Sequence, residues 1–164
     1  MKRLLITLFF TISYFVGHSQ SFSLTELINM TKMDIDNFDT YVSNKGFKFL
    51  ETKETEHQKG STYAFNQSSY SKKAEKFISL YYEYFGETNK HVTYQTSKTA
   101  EYLKIKNQIK PLGFKFKETK TFEGATFLVY TKGKYEVSLI SFQSETESGA
   151  TSAAYEISVT LENE

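Results

Sequence analysis

The stretch Gly46-Phe47-Lys48-Phe49-Leu50-Glu51-Thr52-Lys53 returns 67 residues later as Gly113-Phe114-Lys115-Phe116-Lys117-Glu118-Thr119-Lys120, with seven of the eight positions identical. A glycine that stops a helix, followed by phenylalanine on alternate positions, is a helix-to-strand junction, here used twice. In each copy the phenylalanines are expected to enter the core while the lysine between them faces water. Moving Ile35, Phe38 and Val42 on by 67 lands on Tyr102, Ile105 and Ile109, so the echo extends back through a helix with one apolar face. The chain therefore reads as two copies of one unit, residues 20–96 and 97–164.

Within the first unit, Ser23 and Glu26 have capping-box spacing ahead of Leu24, Leu27 and Ile28, which predicts a helix of about two turns. A second helix is expected from about Asp34 to the Gly46 stop. In the second unit Ser97 is the candidate N-cap of a single helix that ends at Pro111 and Gly113. After each glycine the period changes to two. Four strands are expected in the first unit (Gly46 to Thr52, Ser61 to Gln67, Lys76 to Phe85, His91 to Thr96). Four more follow in the second (Gly113 to Thr121, Ala125 to Thr131, Lys134 to Phe142, Ala153 to Glu162). Gly60-Ser61-Thr62-Tyr63 and Gly124-Ala125-Thr126-Phe127 form a second echo, at a spacing of 64. Short connections such as Lys132-Gly133 favour antiparallel hairpins. Two longer loops are expected, Ser68 to Ala74 and Glu145 to Ser152.

The fold class is therefore α+β: two tandem helix-plus-four-strand repeats, helices on one face of antiparallel sheet. Few residues separate Thr96 from the next helix and no linker composition appears, which favours one continuous eight-stranded sheet over two separately packed domains. In element order the chain resembles the tandem repeats of the β-lactamase inhibitory protein fold, in which a helical segment precedes a four-stranded antiparallel sheet. That resemblance spans Ser23 to Glu162 and implies a sheet face that binds another protein. It carries over no functional residue, and the disulfides of that family have no counterpart in a chain without cysteine.

At the N-terminus, Lys2 and Arg3 precede an apolar run from Leu4 to Val16, and Gly17-His18-Ser19 offers small residues at a cleavage site. The segment resembles the signal peptides of small exported Bacteroidota proteins. Residues 1–19 are read as a cleavable signal cut before Gln20, which implies a periplasmic or secreted protein that meets the membrane only during export. A run of this length falls short of the ~20 residues that span a bilayer.

Several activities lack their grammar. The 20 basic and 19 acidic residues leave no bulk charge to recruit nucleic acid, and the missing cysteine removes thiolate nucleophiles and thiolate metal sites. Glu54, Glu56 and His57 are the one cluster where a divalent metal could be imagined, but adjacent strand positions point to opposite sides, so a solvated hairpin is the plainer reading. No Gly-x-Ser-x-Gly elbow, phosphate-cradling loop or dinucleotide fingerprint occurs. No metal, cofactor or catalytic residue is assigned.

The excess lies in the aromatics, 15 Phe and 12 Tyr without Trp. Strand parity places Phe77, Ser79, Tyr81 and Glu83 opposite the core-facing Ile78, Leu80 and Tyr82. In the second unit it leaves Ile140 and Phe142 on the outer side beside Glu136 and Ser138. If helices cover one face alone, Phe77, Tyr81, Ile140 and Phe142 form the candidate binding surface, which suits a protein partner because aromatics supply contact area at small entropic cost. The expected function is a non-enzymatic, exported protein-binding module. The alternative is a small-ligand or glycan binder, or a weak hydrolase, with a site between the repeats.

Overall fold

The computed structural model describes residues 21–68, 74–83, 89–145 and 151–162. The leader expected over residues 1–19 and the end of the third strand at Tyr84 and Phe85 lie outside them. Helix α1 (Leu24–Met30) begins with the capping box read from the sequence: the Glu26 N–H donates to the Ser23 hydroxyl at 3.2 Å, and the Ser23 N–H donates to the Glu26 carboxylate at 2.8 Å. Helix α2 (Ile35–Asn44) starts at Asp34, whose carboxylate accepts from the Asn37 N–H at 2.8 Å. Past its end, Gly46 adopts φ 84°, and Gly113 adopts the same φ of 84° after α3 (Thr99–Ile109). That left-handed turn favours glycine and releases the chain into a strand.

Among the described residues, four strands follow α2, β1 (Lys48–Glu54), β2 (Gln58–Phe65), β3 (Lys76–Glu83) and β4 (Lys90–Thr96), and four follow α3, β5 (Lys115–Phe122), β6 (Ala125–Lys132), β7 (Tyr135–Glu145) and β8 (Thr151–Leu161). They form one antiparallel sheet in the order β1-β2-β3-β4-β8-β7-β6-β5. Two four-stranded meanders thus meet at a seam between their last strands. The two edge strands share a defect: the register shifts between Phe49 and Glu51 in β1 and between Phe116 and Glu118 in β5. Bulges and exposed lysines on both edges discourage pairing with another chain.

The helices cover one face. Ile78 and Leu80 of β3, Val92 and Tyr94 of β4, Ile157 and Val159 of β8, and Val137 and Leu139 of β7 join Leu24, Leu27, Met30, Phe38, Val42, Ile105 and Ile109 in a single core. Each fully buried Leu, Ile, Val or Phe contributes about 1.5–3 kcal/mol. Phe22, just ahead of α1, stands edge-on to Tyr94 with ring centroids 5.2 Å apart. A polar network is enclosed with them. Lys76 Nζ meets Glu101 Oε1 at 2.7 Å, while Oε2 accepts from the Tyr94 hydroxyl at 2.5 Å and from Thr96 at 3.1 Å. Burial alone would raise the Glu101 pKa, but the hydrogen bonds from Lys76 and Tyr94 overcome it and hold the carboxyl below its ordinary value.

Several expectations are corrected. Only the first phenylalanine of each junction is buried: Phe47 and Phe114 are 2% and 5% exposed, whereas Phe49 and Phe116 are 58% and 55% exposed. The latter lie on edge strands beyond the reach of the helices, each edge-on to one tyrosine, Tyr63 at 5.7 Å and Tyr130 at 5.6 Å. Ile35 is also exposed, so the buried stripe of α2 rests on Phe38 and Val42. Lys98, not Ser97, occupies the N-cap of α3 and makes no side-chain cap bond; its N–H donates to Thr96 Oγ1 at 3.1 Å. The second echo joins unlike places, since Gly60 sits inside β2 and Gly124 in the β5–β6 turn with φ 77°. The loop expected over Glu145 to Ser152 is shorter, because β7 and β8 stay paired as far as Glu145↔Thr151.

Candidate functional site: the uncovered sheet face

The face opposite the helices is assembled by register. Its middle row crosses five adjacent strands as Thr62, Ser79, Thr93, Ser158 and Ser138, each directly opposite the next. At about 4.8 Å per strand this is roughly 19 Å of small hydroxyl side chains. Thr62 and Ser79 share a hydrogen bond of 2.9 Å. Larger side chains rise on both flanks of this shallow trough.

One flank runs Phe77, Gln95, Glu156, Ile140 and Phe127. Gln95 Nε2 donates to Glu156 Oε2 at 2.6 Å. Burial pushes the Glu156 carboxyl above the usual carboxylate range, with the Gln95 bond offsetting part of that. The other flank runs Tyr81, His91, Thr160, Glu136 and Thr131. There His91 Nδ1 bonds Thr160 Oγ1 at 2.8 Å, and Nε2 lies 3.0 Å from Glu83 Oε1 without the alignment of a hydrogen bond. Glu136 pairs with Lys117 at 3.0 Å.

The four candidate residues all lie on this face, but in different settings. Phe77, Gln95, Phe142 and Ala154 of this face line a cavity of about 230 Å³ together with Thr96 and Tyr155 of the helix side, at the end of the seam between the two meanders. Phe142 is 37% exposed. Ile140, beside Glu156, is only 6% exposed and acts as packing beneath its neighbours. Tyr81 stands across the hydroxyl row, its ring laid over Gly60 so closely that a Cβ there would collide with it. The structure thus joins Phe77 with Phe142 and separates Tyr81 from them.

Gln95, Ala154 and Glu156 were not singled out from the sequence. The β4–β8 register, Gln95↔Glu156, brings Glu156 beside Phe77. At the imagined metal cluster, Glu54 instead pairs with Lys59 at 3.1 Å, and among the described residues no group of three His, Asp or Glu side chains could hold an ion. Among the same residues no helix is long and apolar enough to cross a membrane. No protein-family model, curated protein or solved structure matches this chain.

Proposed function

We propose that this chain is an exported, non-enzymatic binding module whose uncovered sheet face engages a protein partner. The observation that carries the reading is the notch of about 230 Å³ lined by Phe77 and Phe142, at the end of a sheet face that none of the described helices covers. Small-molecule sites usually measure about 300–1,000 Å³ and enclose most of their ligand. A smaller, open notch suits one apolar side chain of a protein, with the Gln95–Glu156 pair beside it to meet a polar or basic neighbour. The same measure weighs against the small-ligand alternative at this seam. The basic residues and apolar run of the N-terminal segment support export.

The test is a matched capture from periplasm and culture medium with wild-type, Phe142→Ala and Phe77→Ala baits. The expected result is a partner retained by the wild type and released at least about tenfold faster from the variants, as for an interface anchor. Equal capture by all three baits, or a secreted form whose N-terminus is still Met1, would overturn the binding or the export half respectively.

A further inference from the structure

On the helix side of the sheet the two meanders differ at one place. In the first, Phe47 at the entry to β1 and Phe65 at the end of β2 stand 5.4 Å apart, and Phe22 packs on Phe47 at 5.4 Å. Phe22 is wholly buried there and completes a three-ring plug. In the second, Phe114 enters β5 as Phe47 enters β1, but the last residue of β6 is Lys132. Beside Phe114 and Lys132 there is instead a cavity of about 470 Å³, lined also by Thr25, Ile28, Leu112 and Tyr135.

The rim is cationic. Lys132 and Lys134 belong to the lining, which contains no Asp or Glu. Lys32 reaches the Tyr135 ring at 5.8 Å. Lys132 Nζ donates to the Leu112 carbonyl at 2.6 Å and lies 6.0 Å from the Phe114 ring, leaving further ammonium protons for a second acceptor. Its stem lies along apolar surface while its charge stays at the mouth. An apolar chamber of ligand size beneath lysines is complementary to a molecule with an apolar tail and an anionic head.

We propose that this cavity binds a free medium-chain fatty carboxylate, tail against Ile28, Leu112, Phe114 and Tyr135 and head between Lys132 and Lys134. It is independent of the uncovered face on the other side of the sheet. The test is calorimetric titration with sodium dodecanoate below its micellar concentration. The expected result is saturable one-to-one binding, weakened at least about tenfold in Lys132→Gln/Lys134→Gln, as loss of a charge-assisted bond requires. Thr25→Phe, at an exposed position of α1, should also weaken binding by filling the mouth while leaving the melting temperature unchanged. Three results would overturn the proposal: no saturable binding, equal affinity for dodecanol or dodecyltrimethylammonium, or full binding by Thr25→Phe. A concentration-dependent dimer that Thr25→Phe dissolves would overturn it in favour of a second copy seated at this face.

Discussion

Ile157 and Ser158 stand side by side on β8, yet Ile157 is sealed beneath the helices while Ser158 looks onto the uncovered face in a row of hydroxyls. The contrast extends across the sheet. On the helix side the polar groups that enter the core are locked into a closed set, Lys76 with Glu101, Tyr94 and Thr96. An unpartnered charge there would bear its full desolvation cost. On the other side the pairing is local and piecemeal: Thr62 holds the buried Ser79 hydroxyl and Gln95 holds Glu156, without an ion pair between them. One face is fixed by packing, and the other is free to vary in chemistry.

The largest test of that contrast is Glu101→Gln, which removes the carboxylate charge facing the buried Lys76 ammonium. Urea unfolding should show a loss of about 3–5 kcal/mol. Because the Glu101 pKa is lowered on folding, its contribution is present above the ordinary carboxylate pKa and is lost as pH falls through the folded value. The acid limb of the stability profile should therefore flatten in the variant. An unchanged limb would count against the network.

Next comes the neighbouring pair itself. Ile157→Ala should cost about 2–5 kcal/mol by opening a cavity, whereas Ser158→Ala should stay within about 0.5 kcal/mol. Comparable losses at both sites would mean that the second face is covered in solution.

A smaller effect is expected at Gly60, where the added methyl of Gly60→Ala forces the Tyr81 ring aside. The cost should be about 1 kcal/mol and should shrink in Gly60→Ala/Tyr81→Ala. Additive losses in the double variant would show that the ring is not what the methyl meets.

The smallest concerns Glu156, whose carboxyl is raised on folding. Its ionised form is disfavoured in the folded state, so Glu156→Gln should melt slightly above wild type at neutral pH. The difference should vanish once pH falls below the unfolded carboxylate value of about 4.3. A variant that melts lower at pH 7 would sink this assignment.

Much of the fold was legible because it is written locally. The Ser23 capping box, the Gly46 and Gly113 stops and the change to a period of two after each glycine need only a few neighbouring residues. Phe49 and Phe116 were misread because their parity is right but their cover depends on how far the helices extend over an edge strand. Ser97 is not the cap: a local bond from the Lys98 N–H to Thr96 Oγ1 and the long-range pair of Glu101 with Lys76 hold the start of α3. The candidate site was half legible. Parity turned Phe77, Tyr81, Ile140 and Phe142 to one face, but which of them meet is a matter of register between strands distant in sequence. The hydroxyl row was hidden for the same reason.

The seam between β4 and β8 has a consequence in time. Lys132 and Tyr135 pair across a tight turn, and the other hairpins within each meander are also local, but Lys90 pairs with Leu161 and Thr96 with Tyr155 across most of the second meander. Closing so long a loop carries an entropic cost that the hairpins avoid. The seam should therefore zip last, after both meanders exist, and pulse-labelled hydrogen exchange should find the amides that β4 and β8 bond to each other protected later than those within the β6–β7 hairpin. Until then Tyr94 and Ile157, the centre of the finished core, lie on the open edges of two half-sheets, the form of this chain most prone to pair with another copy of itself.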